Sequence, residues 1–415
     1  MSPERVFQIL AAIGLIAGGW FYGDYWRTSG SAKADNDESA TLRAQNSELT
    51  QRVDELNGEL AQVRSMLSSG PYPIPDDLIA WIEKDYGMVF LKSPDVRLAS
   101  PTAMRDAAQA NLKLIHGELG LEKESVAWEL LGLLPQNQNL LVQLVMVNSD
   151  GAKGIFDLAK GQILISESFD PVSVPDRSVL ARLLAQQLSF QNYPQKEWST
   201  RDEWQAWEAL HSGAAAALQA RFLRRNAAAN EAEWRDPEAN REELLNELSP
   251  VIQGLSNFPF LEGADYSRHF YIDSREAWSR MFRETPTTTA RIIHPNREPI
   301  AVTETIFPDS RKKILATNQL GELGLRLWLE PYAGVIEASP LAEEWRGDQY
   351  RVFDNGEELA LTWVLEMSSE KSAAGLVAEV KRSMLRALGE TQPERVIKIS
   401  SEGTQVVFTN SPTIE

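Results

Sequence analysis

The first strongly patterned stretch is residues 6–22, VFQILAAIGLIAGGWFY, apolar throughout except for Gln8. Its 17 residues stand at the lower edge of what spans a bilayer, where about 20 is usual. Trp20, Phe21, Tyr22, Tyr25 and Trp26 make an aromatic belt where a membrane interface would fall, and Pro3 suits a first helical turn. The pattern predicts an uncleaved transmembrane anchor over residues 1–27. A cleaved signal peptide is the competing reading, and it lacks a clean Ala-x-Ala site. After a polar stretch the period changes to seven. Leu42, Leu49, Leu56 and Val63 recur at that interval, with Asn46, Val53, Leu60 and Leu67 interleaved. Leucine at d and one asparagine at a predict a parallel two-stranded coiled coil, so residues 28–70 read as linker and stalk. Gly14 and Gly18 give the anchor a face for close packing in lipid. The two signals agree on a parallel homodimer.

Beyond the Pro-rich junction at residues 70–75 the pattern is mixed. Helices are predicted at 79–86, 102–119 and 127–134, and strands near 88–91 and at 140–149. Residues 154–165 read as a hairpin turning at Asp157, Lys160 and Gly161, because β-prone runs flank turn chemistry. A helix through Gln191 follows, with Asp176 or Ser178 as its N-cap, and a small-residue helix covers 209–218. Residues 227–247 read as a solvated helical insertion. From Tyr350 onward, Asp354-Asn355-Gly356 signals a hairpin, residues 372–388 a helix, and 396–399 with 404–408 a second hairpin turning at Glu402-Gly403. The expected class is α+β. A body spans 71–349, and a ββαββ portion of the same body spans 350–415. No long βαβ series suggests a doubly wound sheet.

Within the helix ending at Gln191 the chain reads Leu183-Leu184-Ala185-Gln186-Gln187-Leu188-Ser189-Phe190-Gln191. Further on stand His211-Ser212-Gly213-Ala214-Ala215, Thr287-Thr288-Thr289 with His294-Pro295, Leu320-Gly321-Glu322, and Trp345-Arg346-Gly347-Asp348-Gln349-Tyr350. In this order the set resembles a family of secreted or membrane-attached bacterial zinc-peptidase-like proteins of the gluzincin kind. Its members carry a hairpin, an Ala-His-Glu-x-x-His helix, an Glu-Gly-Asp-Ala helix and a Thr-Ser-Thr-x-x-x-x-His-Pro segment. A Leu-Gly-Glu helix and a Trp-x-Gly-Asp-x-Tyr strand follow. The resemblance covers roughly residues 72–367.

What the resemblance implies about chemistry is negative. The two histidine ligands fall on Gln186 and Phe190, the general base on Gln187, the third ligand on Ser212 and the following aspartate on Ala214. A catalytic zinc needs three protein ligands and an open position for water. An amide, a phenyl ring and a hydroxyl supply none of them. No metal, no cofactor and no catalytic residue is therefore expected, and the chain reads as a pseudoenzyme. The bland reading of residues 183–191 is an ordinary buried helix, and it predicts the same lack of zinc chemistry.

Composition narrows the rest. With no cysteine, thiol catalysis, disulfides and cysteine metal sites are excluded. A net charge of −18 argues against nucleic acid, which requires a positive footprint. Of the four histidines, His116 before Gly117 reads as a basic helix cap, His211 and His294 as packed or hydrogen-bonded groups, and His269 stands apart. Twelve tryptophans are many. Trp198, Trp204 and Trp207 fall between the two central helices, as packing or as a candidate partner-binding rim. The expected function is a non-catalytic, membrane-anchored subunit binding an unknown envelope protein, with its body periplasmic or extracellular. The alternative is a hydrolase using a non-zinc or relocated site.

Overall fold

The computed structural model describes residues 71–136, 138–194, 197–226, 245–298, 313–354 and 359–413, with short pieces at 45, 47–52, 302, 303, 305 and 307. The chain divides into two compact units, Met1–Tyr72 and Pro73–Glu415. In the first, positions 45 and 47–52 are helical and exposed. The apolar segment 6–22 and the remaining heptad positions lie outside the described residues, as do Asn355-Gly356 and most of the 227–247 insertion. Among the described residues no helix is long and apolar enough to cross a membrane.

The second unit opens with α1 (Asp76–Tyr86), β1 (Val96–Ala99), α2 (Pro101–His116), α3 (Gly120–Leu131) and α4 (Leu140–Ser149), followed by the hairpin β2 (Gly154–Asp157) and β3 (Gln162–Ser166). Two long helices come next, α5 (Val174–Asn192) and α6 (Arg201–Asn226). Then follow α7 (Pro250–Asn257), a π-helical turn at Pro259–Gly263, α8 (Ala264–Asp273), α9 (Arg275–Arg283) and the short α10 (Thr289–Ile293). The last stretch holds β4 (Lys313–Asn318), α11 (Gly321–Ala333), α12 (Val335–Ala342), β5 (Trp345–Asp354) and β6 (Leu359–Met367). It closes with α13 (Glu370–Ser383), α14 (Leu385–Thr391), β7 (Arg395–Glu402) and β8 (Gln405–Pro412). The class is α+β.

The described residues form two sheets. The smaller has the order β1-β3-β2, with β1 parallel and β2 antiparallel to the central strand. The larger is wholly antiparallel, in the order β4-β5-β6-β8-β7. The expected ββαββ succession is therefore present from β5 to β8, and β4 adds a fifth strand at one edge. Trp328 of α11 packs edge-on to Trp363 and Phe408 of this sheet at 4.9 and 5.3 Å between ring centroids. Its indole N–H donates to the Leu131 carbonyl at 2.8 Å. Asn410 of β8 donates to the Leu130 carbonyl at 2.7 Å, so the end of α3 is tied directly to the larger sheet.

Several expected elements differ. Residues 140–149 form a helix, not a strand. The run is apolar on nearly every side, so it carries no alternation to separate the two. Asn139 decides it locally, its side chain accepting from Val142 N at 3.2 Å as an N-cap. Residues 88–91 are not a strand, because side chains take up backbone groups in and beside them, Phe90 N donating to Glu83 Oε1 of α1 at 2.8 Å and the end of α5 holding others. Gln191 bonds both Lys92 N and Lys92 O at 3.0 Å, and Asn192 donates to Val89 O at 3.1 Å. The N-cap of α5 is Ser173 rather than Asp176 or Ser178. The helix expected at 372–388 is two, broken at Met384 (φ −120°, ψ −42°), which is fully buried.

Candidate functional site

Helices α5 and α6 run antiparallel, and their contact carries the positions that the sequence singled out. Gln186 donates from Nε2 to Ser212 Oγ at 3.1 Å. These are the positions to which the resemblance carries the first and third metal ligands. Gln187 turns the other way, donating from Nε2 to the Gly161 carbonyl at 2.8 Å, which fastens the β2–β3 turn to α5. Phe190 stacks on Trp207 at 4.8 Å with rings 15° apart, and touches Phe156 and His211. Ala214 is fully buried. A Cβ on Gly213 would lie 2.2 Å from the Gly263 carbonyl carbon, so that position admits glycine because the π-helical turn crosses α6 there.

His211 is buried beside these groups. Its Nδ1 shares a hydrogen with Ser189 Oγ at 2.9 Å, and burial pulls its pKa down to about 3. It is a neutral packed imidazole at physiological pH. His116 departs from its expected capping role. Burial, aided by the Arg201 charge, pulls it down to about 2, and its ring packs against Trp204 at 5.2 Å. The helix end is closed instead by Gly117 N–H donating to Lys113 O at 2.8 Å. Among the described residues no group of three or more His, Asp or Glu side chains could hold a metal ion.

The tryptophan rim is corrected as well. Trp204 and Trp207 lie within α6, not in a connection, and are 8 % and 5 % exposed. Trp198 is half-buried and packs edge-on to Trp207 at 5.1 Å and Trp204 at 6.5 Å. The three rings pack on one another rather than standing out as an exposed rim, and the indole N–H groups of Trp198 and Trp204 find no hydrogen-bond partner.

A cavity of about 180 Å³ opens beside Gln186 and Ser212. It is walled by α2, α4, β2, α5, α6 and the π-helical turn, through residues that include Asn111, Gly154, Arg182, Gln205 and Phe260. One stripe of α6 runs along it: Arg201, Trp204, Gln205, Glu208 and Ser212, at the spacing of a single helix face. β2 is the edge strand on this side, yet its outward groups are occupied. Asn111 donates from Nδ2 to Phe156 O at 2.7 Å and accepts from Leu158 N at 2.9 Å. Its carboxamide thus takes the place that a neighbouring strand's peptide group would hold, blunting the edge.

A second cluster, of opposite character, is built from the remaining motif residues. Asp348 of β5 accepts four hydrogen bonds: from Leu320 N and Gly321 N at 2.9 Å each, Trp345 Nε1 at 3.0 Å and Trp363 Nε1 at 2.8 Å. Its position at the α11 N-terminus suits a negative charge, while burial pushes its pKa up. Thr289 donates to Asp202 and accepts from Leu323 N at 3.2 Å, and Gln319 donates to Asp202 at 3.2 Å. Burial raises Asp202 to about 7. His294 Nε2 lies 2.7 Å from Glu322 Oε1, and burial pushes Glu322 up to about 8 while lowering His294. Beside this cluster Arg201 and Glu124 form a buried ion pair at 2.8 Å, at 2 % and 5 % side-chain exposure. Asp202, Glu124 and Arg201 escape sequence reading because their partners are 77 to 117 residues away. No local spacing marks them.

Residues 312–415, from β4 to the end of the chain, match a family model described as a domain of unknown function (DUF8575). No curated protein and no solved structure matches the chain.

Proposed function

We propose that this protein is a non-catalytic, membrane-tethered homologue of a zinc peptidase, serving as a protein-binding or scaffold subunit in the bacterial cell envelope. A parallel homodimer joined through the N-terminal helix and coiled coil would display two such bodies on stalks. The observation that carries the reading is the contact of Gln186 with Ser212 beside the Phe190–Trp207 stack. Where a peptidase of this kind needs three ligands around an open metal, these side chains offer an amide and a hydroxyl bonded to each other and a ring filling the third place. Zinc binds imidazole and carboxylate strongly and a neutral amide poorly, so the arrangement favours a binding body over a hydrolytic one.

The competing idea, a hydrolase with a relocated acid–base pair, would look to Asp202 and Glu322, whose pKa values lie nearest neutrality. Neither lines the cavity. Asp202 is fully buried and its oxygens are held by Thr289 and Gln319. A general base must reach its substrate's proton directly or through one water, and these carboxyls face protein.

The test uses the full chain extracted gently from its native membranes. Metal analysis is expected to find no stoichiometric zinc, and a casein or peptide-library assay no chelator-sensitive cleavage. Mass spectrometry of the extract is expected to find a second envelope protein in stoichiometric amount. Zinc at one per chain with chelator-sensitive turnover would overturn the non-catalytic reading, and recovery of the homodimer alone would overturn the scaffold reading.

A further inference from the structure

On the wall of the cavity beside α6, one side-chain amide makes no hydrogen bond among the described residues. Gln205 is 3 % exposed and lines the void. Among the described residues its amide makes no hydrogen bond, in contrast to the bonded amides of Gln186, Gln187 and Asn111. An amide that lines a cavity and lacks protein partners is placed where a ligand or water belongs. The charged groups of the wall are otherwise engaged. Arg201 pairs with Glu124, Lys153 with Asp176 and Asp150 with Arg105. Arg182 lies over the Phe260 ring at 5.4 Å, and Glu208 has its own interactions. Trp204 Nε1, Arg182 Nε and Arg201 Nε also lack hydrogen-bond partners but are sealed from solvent, so the recognition group open to the void is the neutral Gln205 amide, one donor and one acceptor on the same planar group.

We infer that this cavity binds a neutral primary carboxamide, which Gln205 meets by donating from its NH2 to the ligand carbonyl and accepting from the ligand NH2. The reciprocal pair is the one that two carboxamides form best, and a carboxylate cannot return the donated hydrogen. Apolar wall groups, including Leu112, Ile115, Leu144 and Phe260, leave room for a short hydrocarbon stem. The volume of about 180 Å³ exceeds the roughly 150 Å³ that admits benzene in an engineered apolar cavity, so a ligand arm of five to eight heavy atoms fits. A free small amide and the glutamine side chain of a polypeptide share this chemistry. The inference rests on reading the cavity as a binding site rather than a remnant.

The experiment follows intrinsic tryptophan fluorescence of the full chain in mild detergent during thermal unfolding, with propionamide against propionate at equal concentration. Propionamide in tenfold excess over its dissociation constant is expected to raise the midpoint by about 2 °C, and propionate is expected to leave it unchanged. Gln205→Met, close in volume, is expected to abolish the propionamide shift. Equal shifts from both compounds, no shift from the amide, or a shift that survives in Gln205→Met would each overturn the inference. The wild-type comparison stands even if the variant fails to fold. An acetylated peptide carrying glutamine, compared with the same peptide carrying glutamate, separates the sources. Tighter binding than propionamide by about tenfold or more assigns the site to a polypeptide, and equal binding assigns it to a small amide. These results are independent of zinc content and hydrolysis, so failure here leaves the non-catalytic reading where its own test puts it.

Discussion

The α5–α6 contact and the α11–β5 junction are both buried and polar, yet they use different chemistry. At the first, an amide meets a hydroxyl, an aromatic ring stacks on indole, and the one imidazole is neutral. At the second, three carboxyl groups are buried within one network, and one of them accepts four hydrogen bonds. A buried carboxyl is expensive unless its oxygens are fully bonded. Asp348 and Asp202 meet that requirement, Glu322 meets it at Oε1 alone, and the helix contact avoids it. Under the proposed reading, the part of the body that would have done chemistry has become neutral and packed, while the part that only holds the body together keeps its charges. The difference also predicts where the protein is fragile.

The largest effect is expected at Asp348. Asp348→Ala leaves two backbone N–H groups and two indole N–H groups facing a void, and loss of several charge-assisted bonds at a buried site costs about 4 kcal/mol. The readout is the urea midpoint of the full chain. Asp348→Asn, which keeps the shape but turns an NH2 toward four donors, is expected to recover less than half of the loss. A cost below about 1 kcal/mol for the alanine variant would erase the contrast between the two regions.

How much of this was open to sequence reading follows the range of each interaction. The β2–β3 hairpin was legible because its signals are local: Asp157 accepts from Lys160 N at 3.1 Å across the turn, and Gly161 takes φ +65°. The second hairpin was legible for the same reason, with Gly403 at φ +59°. Helix α4 was not, since its apolar run reads alike in either conformation and Asn139 alone tips it. The break at Met384 was not, because it is set by burial from other elements. At the candidate site, motif order singles out Gln186, Gln187, Phe190 and Ser212, of which Gln186, Phe190 and Ser212 meet at the α5–α6 contact while Gln187 turns to the β2–β3 turn. Gln205 and Asn111 were missed, as no motif includes them and their meaning lies in the cavity wall. The tryptophans were located, but their mutual packing depends on ring placement that no spacing reveals.

A middle-sized effect is expected from pH, and it isolates the charged junction. Burial raises Glu322 to about 8 and Asp202 to about 7, from ordinary values of 4.5 and 3.8. A carboxyl whose folded pKa is raised stabilises the fold fully at low pH and loses that contribution as pH climbs through the folded value. Between pH 6.5 and 9 the chain is therefore expected to lose about 2 kcal/mol. Glu322→Gln should remove more than half of that slope. The buried histidines act on the opposite side. His211 and His116, held down to about 3 and about 2, oppose folding as pH falls below 6.5, where the unfolded chain takes up their protons. Below pH 6.5 the two effects oppose one another and cancel near pH 5 to 6, where maximum stability is expected. A flat profile from 6.5 to 9 would mean that the junction carboxyls ionise freely.

The smallest effect is expected where the resemblance would place the metal. A neutral amide–hydroxyl bond contributes about 1 kcal/mol net, and Gln186 is only half-buried, so water can replace part of what is lost. A double-mutant cycle of Gln186→Ala and Ser212→Ala should give a coupling below 1 kcal/mol. The same cycle on Asp348 and Trp363 should exceed it at least twofold, because there a buried carboxyl loses a donor that water cannot supply. A strong Gln186–Ser212 coupling, of 2 kcal/mol or more, would mean that the helix contact is held as rigidly as the junction. That rigidity would be hard to reconcile with a packed remnant and would point to a polar site kept in order for a ligand of its own.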